Sequence, residues 1–191
     1  MKSNKILAGI ITLLMAFVLS ACAGNNESAS SNDNADKNTD SNEHMEMNHS
    51  SSGDVPEELK VAENPTYPVG SQAVMHTNHM KGMVGAVATI TGAYNTTVYS
   101  VSYTPTTGGD RVENHKWVIH EEIENAGETP FTTGDEVTLK ADHMKGMDGA
   151  TAVIDSAEET TVYMVDFTNT ETEKQVKNHK WVIESELSPT E

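Results

Sequence analysis

Apolar and polar residues alternate with a period of two in two stretches of the chain, "TTVYSVSY" at 96–103 and "TTVYMVDF" at 160–167. In the first, Val98, Ser100 and Ser102 fall on one face and Tyr99, Val101 and Tyr103 on the other. Successive side chains of a β-strand point to opposite faces, so this pattern, rich in β-branched and aromatic residues, predicts half-buried strands. Shorter runs flank each of them. Residues 72–76 and 136–140 read as a first strand, "GAVATI" (85–90) and "GATAVI" (149–154) as a second, and "HKWVI" (115–119 and 179–183) as a fourth. "EEI" (121–123) and "SEL" (185–187) supply a short last strand, and "TPTTGGD" (104–110) a turn between the third and fourth. No ten-residue window carries a helical period; only "PEELK" (56–60) suggests one turn of helix. The expected fold class is all-β.

The strand pattern occurs twice because the chain is duplicated. Residues 70–104 align with 134–168, and "VENHKWVIHEEI" (112–123) with "VKNHKWVIESEL" (176–187), at an offset of 64 residues without gaps. Two copies of this length predict two small domains, over 66–125 and 130–188; a solenoid would need at least three units. Four or five short strands with a glycine-bearing loop between the first and second resemble an SH3-like barrel, more narrowly a KOW-type module. Closing a sheet on itself removes exposed edges. Each such barrel alone has a thin core, so packing against its twin would help both.

Ahead of the repeats the pattern changes. Lys2 and Lys5 precede an apolar run, Ile6 to Leu19, that ends in Leu19-Ser20-Ala21-Cys22. This predicts a signal peptide over 1–21 and resembles a bacterial lipobox, with Cys22 lipidated. Cys22 is the sole cysteine, so no intramolecular disulfide can form, and lipidation accounts for an unpaired exported thiol. Several acyl chains on one residue hold a bilayer far better than one. The expected location is the extracytoplasmic face of the cell membrane. Residues 22–62 are a polar, acidic tether that lacks the apolar surface to fold. It carries one cluster of another kind, "HMEMNH" at 44–49. The formal charge of −17 argues against a nucleic-acid partner and against electrostatic adhesion to anionic lipid.

The pentapeptide "HMKGM" stands at 79–83 and again at 143–147. A turn uses the glycine, but does not require histidine and two methionines around it. Thioether sulfur with imidazole nitrogen favours Cu(I), while imidazole alone also suits Cu(II), zinc and nickel. The candidate donors are His79, Met80, Met83 and His115 in the first copy and His143, Met144, Met147 and His179 in the second. His44, Met45, Met47 and His49 in the tether join them. The competing expectation is structural: Met83 and Met147 as core fillers, His115 and His179 as strand-end residues satisfied by backbone, and Trp117 and Trp181 as core. No Ser-His-Asp order, phosphate-cradling loop or HExxH is present, so no catalytic role is expected.

The lipobox, the Met/His-bearing tether and the tandem "HMKGM…TTVY…NHKWVI" units resemble the YdhK-type lipoproteins of Bacillus and its relatives, over nearly the whole chain. Their domain has long been catalogued as of unknown function. Similar staphylococcal lipoproteins accompany copper export and oxidation genes and are held to bind copper outside the cell. The resemblance therefore implies copper sequestration, and the expected partners are the membrane through the lipid anchor and a copper transporter or a cell-wall component. It supplies no ligand set. The alternative is a cell-wall or protein-binding SH3-like module without metal, using Tyr94, Tyr99, Tyr103 and the two tryptophans as an aromatic groove.

Overall fold

The computed structural model describes residues 49–190. The expectations for the signal peptide, Cys22, His44, Met45 and Met47 lie outside the described residues. Among the described residues eight strands occur: β1 (Lys60–Val61), β2 (Gln72–Met75), β3 (Val87–Tyr103), β4 (Val112–Ile119), β5 (Glu136–Thr138), β6 (Thr151–Thr168), β7 (Gln175–Ile183) and β8 (Leu187–Pro189). The only helical pieces among the described residues are 3₁₀ turns at His120–Glu122 and Glu184–Glu186. The all-β class is therefore observed. "PEELK" forms a single hydrogen-bonded turn, Leu59 N–H to Pro56 carbonyl, that leads into β1.

One sequence reading is corrected. "GAVATI" and "TTVYSVSY" are not two strands but parts of one, the 17-residue β3, and their counterparts form the 18-residue β6. The reason lies in the partner. β3 and β6 pair antiparallel along nearly their whole length, from Ala88↔Phe167 to Tyr103↔Ala152. Gly92 sits at a register shift in this ladder, where a Cβ would lie 2.7 Å from the Tyr94 ring; it relieves a bulge and makes no turn.

This long ladder redistributes the core. One apolar cluster joins Ala73, Met75, Met83, Ala88 and Ile90 of the first repeat to Tyr163, Val165, Phe167, Val182 and Leu187 of the second. A second cluster joins Tyr99, Val101, Tyr103, Val118 and Ile123 to Val137, Leu139, Met147, Ala152 and Ile154. Each core thus takes the front half of one repeat and the back half of the other. The minor strands follow suit: β2 pairs with β8, and Ile123 bridges Leu139. Between the two cores lies a third cluster, with Trp117, Trp181, Val98 and Val162 at its heart.

The pentapeptide loops lock the exchange. Gly82 has φ +80°, and a Cβ there would meet the Asn169 side chain at 2.0 Å. Asn169 Nδ2 donates to the Lys81 carbonyl at 2.7 Å, and Thr170 N–H donates to the Gly82 carbonyl at 3.0 Å. The second loop docks in the same way on the first repeat, with Thr106 N–H donating to the Gly146 carbonyl at 2.9 Å. Residues 66–125 alone lack half of each core. Expressed by themselves they should be unfolded or dimeric, as read by light scattering and amide-proton dispersion; a folded monomer would contradict the shared cores.

Candidate functional site

The four histidines that the repeats place in "HMKGM" and "NHKW" come together. His79, His115, His143 and His179, with His49, line one cavity of about 250 Å³ that also takes in Met80, Met144, Lys116, Asp142 and Lys180. Both repeats and the segment before them contribute to it.

Local structure aims each ring. His115 follows Asn114, which holds φ +51°, and pairs with Val101 between two register shifts of the β3–β4 ladder. Asparagine tolerates the left-handed region better than most residues. Ser102 Oγ accepts the Asn114 N–H at 3.0 Å. The second repeat repeats the device with Asn178 at φ +49°, His179 opposite Val165, and Asp166 Oδ1 accepting the Asn178 N–H at 2.7 Å. Such bulges turn a side chain out of the ordinary strand alternation.

His79 and His143 are held differently. His79 Nε2 donates to Glu186 Oε1 at 2.7 Å, and His143 Nε2 donates to Glu122 Oε1 at 2.9 Å. The other carboxylate oxygen is also occupied. Glu186 Oε2 accepts Trp117 Nε1–H and Ile183 N–H, both at 3.1 Å. Glu122 Oε2 accepts Trp181 Nε1–H at 3.1 Å and Ile119 N–H at 3.3 Å. Each glutamate therefore ties its own 3₁₀ turn to the histidine and tryptophan of the other repeat.

Burial alone would raise the Glu122 carboxyl, but the His143 ring and the Trp181 and Ile119 donors outweigh it and hold it below the usual carboxylate range. Glu186 is likewise lowered, burial being overcome by His79, Ile183 and Trp117. Both glutamates are anions behind the His79 and His143 rings.

Other ring nitrogens have no such partners. His79 Nδ1, His143 Nδ1, His115 Nε2 and both nitrogens of His179 are buried with no protein group to satisfy them. His179 is only 4% exposed. An unsatisfied buried polar atom costs about 1–3 kcal/mol, so a cluster of them around a cavity needs a reason. Burial, then the His143, His79 and His49 rings, pull His115 down to about 3 against a lesser opposing pull from Glu122. Burial, then the His79, His49 and His143 rings, pull His179 down to about 3, the His49 main chain opposing in part.

The remaining sequence candidates separate cleanly. Met80 and Met144 line the cavity; Tyr103 Oη donates to Met144 Sδ at 3.8 Å. Met83 and Met147 are completely buried in the two cores, away from the cavity, and drop out of the donor set. The expectation that backbone satisfies these rings fails at His115 Nε2, which stands unpaired, while His179 has the His49 main chain beside it. Tyr99 and Tyr103 are fully buried and the two tryptophans sit in the central cluster, which leaves no open aromatic groove from that set. His49 reaches the cavity because Ser51 N–H donates to the Lys177 carbonyl at 3.0 Å and Ser51 Oγ to the Asn178 carbonyl at 2.6 Å, strapping the segment along β7. Its ring lies 6.1 Å from that of His179, centroid to centroid.

Glu122 and Glu186 were not singled out from sequence. A signal existed: of the three residues in each 3₁₀ turn, the glutamate is the one that the duplication leaves unchanged. Among the described residues, no three His, Cys, Asp or Glu side chains gather around one ion-sized point. His115 and His143 instead stand 6.2 Å apart between centroids, and Met80 and Met144 line the same cavity.

The family described as "Protein of unknown function (DUF1541)" matches the chain twice, over 69–120 and 133–184. The chain is 60% identical over 188 residues to "Uncharacterized protein YdhK" of Bacillus subtilis (strain 168), covering 98% of this chain and 91% of that protein. The crystal structure of a DUF1541 family protein, ydhK from Bacillus subtilis, superposes with a TM-score of 0.74 at 64% identity, covering 77% of this chain and 100% of that one. A solution NMR structure of the ydhK C-terminal domain, also from B. subtilis, gives 0.62 at 65% identity over 64% and 93% of the two chains.

The lowered imidazoles set a pH dependence for the metal-free protein. Unfolded, His115 and His179 titrate near 6.5; folded, near 3. Above pH 6.5 both states carry neutral rings. Below it the unfolded chain takes protons that the folded chain refuses, so stability falls with pH, by up to about 1.4 kcal/mol per unit for each ring. Urea unfolding between pH 6.5 and 4.5 should show that slope, and the double variant H115Q/H179Q should flatten it.

Proposed function

Because the chain belongs to the DUF1541 family, represented by YdhK of B. subtilis, we propose that it is a cell-surface lipoprotein that binds copper, as Cu(I), in the histidine-lined cavity between its repeats. The observation that carries this reading is the set of buried, unsatisfied imidazole nitrogens on histidines that line one cavity with two methionines. Neutral nitrogen and thioether sulfur are the donors that soft Cu(I) takes, and His115 and His179 stay neutral well below pH 6.5. Structural zinc, by contrast, uses four donors, usually with cysteine.

The donors would be His79, His115, His143 and His179 with Met80 and Met144, and His49 would add a further imidazole on the β7 side. His44, Met45 and Met47 precede His49 in sequence and would extend the same chemistry into the tether. Bound copper would be taken out of free solution; the chain's own residues hold it, exclude bulk water and keep its nitrogen ligands deprotonated. No catalytic step is required. The leader over 1–21, followed by Cys22, supports anchorage on the extracytoplasmic face, where a copper transporter is the partner that chemistry would call for. For the fold, the reading retains an SH3-like, KOW-like barrel around each core, closed by strands from both repeats.

The test is anaerobic titration of the protein with Cu(I) against a chromophoric chelator. Wild type should bind measurably tighter than H115Q/H143Q and than M80L/M144L, each weakened at least about tenfold, a loss of roughly 1.4 kcal/mol. Zn(II) should compete poorly. Equal retention of Cu(I) by wild type and a variant lacking all six repeat donors would end the proposal.

A further inference from the structure

Four observations about Glu122 and Glu186 combine. Glu122 is buried, at 6% exposure, and Glu186 is half-buried. Each accepts a histidine Nε2–H on one oxygen and two N–H donors, tryptophan and backbone, on the other. Each histidine so held leaves Nδ1 buried and unpartnered. And each contact crosses between the repeats.

A neutral imidazole carries one proton, on either nitrogen. A carboxylate has only acceptors, so it draws that proton to the nitrogen facing it and leaves a lone pair on the other. We infer that Glu122 and Glu186 are positioning residues that fix His143 and His79 as Nε2–H tautomers, so that the buried, unpartnered Nδ1 of each cavity-lining ring keeps the free lone pair. The inference rests on the copper reading for its consequence, because a free lone pair matters only if an ion arrives. The tautomer itself does not depend on metal.

The geometry also says what the isosteric amide would do. Two N–H donors face Oε2 of Glu186. In E186Q the single carbonyl oxygen would turn to them and the NH₂ would face His79. His79 would then accept through Nε2 and carry its proton on Nδ1, which no longer has a lone pair. The Thr77 hydroxyl, which donates to Glu186 Oε1 at 3.0 Å, can rotate to accept instead. E122Q would do the same to His143. The effects are crossed: a change in the second repeat re-protonates a ring of the first, and the reverse. Removing such a carboxylate partner from a metal-ligating histidine typically weakens metal affinity 10–100-fold.

The experiment records long-range proton–nitrogen correlations of the histidine rings in the metal-free full chain, then measures Cu(I) affinity. Wild type should show His79 and His143 protonated at Nε2. E186Q should move the His79 proton to Nδ1 and leave His143 unchanged, E122Q the converse, and each should lose about 10–100-fold in Cu(I) affinity. W117F, which removes one donor from Glu186 and leaves the carboxylate, should keep the His79 tautomer. A wild type with His79 or His143 protonated at Nδ1 overturns the inference without any variant having to fold. So does E186Q or E122Q with an unaltered tautomer or unaltered affinity in a protein that binds Cu(I). Tautomers as expected in a protein that binds no Cu(I) would instead remove the copper reading and leave the positioning role standing.

Discussion

Between Ala88↔Phe167 and Tyr103↔Ala152 the two long strands run antiparallel, and this ladder ties the four half-repeats into one body. Along β3, Ala88 and Ile90 serve one core, while Tyr99, Val101 and Tyr103 serve the other. β6 does the same in the opposite direction, with Ala152 and Ile154 in one core and Tyr163, Val165 and Phe167 in the other. Side chains alternate between faces along a strand, so a slip of one residue in this register would turn both cores inside out. The register is therefore specified at both ends at once. The docking of each pentapeptide loop on the other repeat's turn, through Asn169 and Thr106, reinforces the same alignment.

The cavity follows from that arrangement. A loop histidine enters from each repeat ahead of its long strand, and a bulge histidine enters from each repeat after it, so four rings meet where the halves exchange. Anionic carboxylates stand behind two of the rings, and the tryptophans that donate to those carboxylates fill the cluster between the cores. Packing and polarity are thus coupled. The same glutamate oxygen that satisfies an indole N–H also closes a 3₁₀ turn, and the opposite oxygen orients an imidazole.

Much of this was legible in the residues. The period-two stretches at 96–103 and 160–167 lie within strands, the duplication is real, and five of the histidines picked for donor chemistry line one cavity. Two things were not legible, for one physical reason. "GAVATI" and "TTVYSVSY" look like separate strands because a single repeat would need to fold back near Gly92; only the other repeat's β6 lets the chain run straight on. The methionines of "HMKGM" are equivalent as letters, yet Met80 faces the cavity and Met83 fills a core that the other repeat completes. Sequence pattern reports which residues want burial or a partner, but here the partner sits one repeat away.

That exchange also limits how alike the two halves of the site can be. Read as a unit, the first repeat holds His79, Met80, His115 and Glu122 as though they formed one set. In space, His79 leans on Glu186, and His143 leans on Glu122 and faces His115. Each half of the cavity therefore inherits the differences of both copies. Tyr103 supplies a hydroxyl to Met144, whereas its counterpart Phe167 has none to give. Thr77 adds a donor to Glu186, whereas its counterpart Ala141 adds nothing to Glu122. His49 stands beside His179, on the β7 side. Duplication supplied two similar donor sets, and divergence of the polar residues around them has made two unequal ones: a tyrosine-pinned thioether with two rings on one side, and a more crowded set of rings under the N-terminal strap on the other.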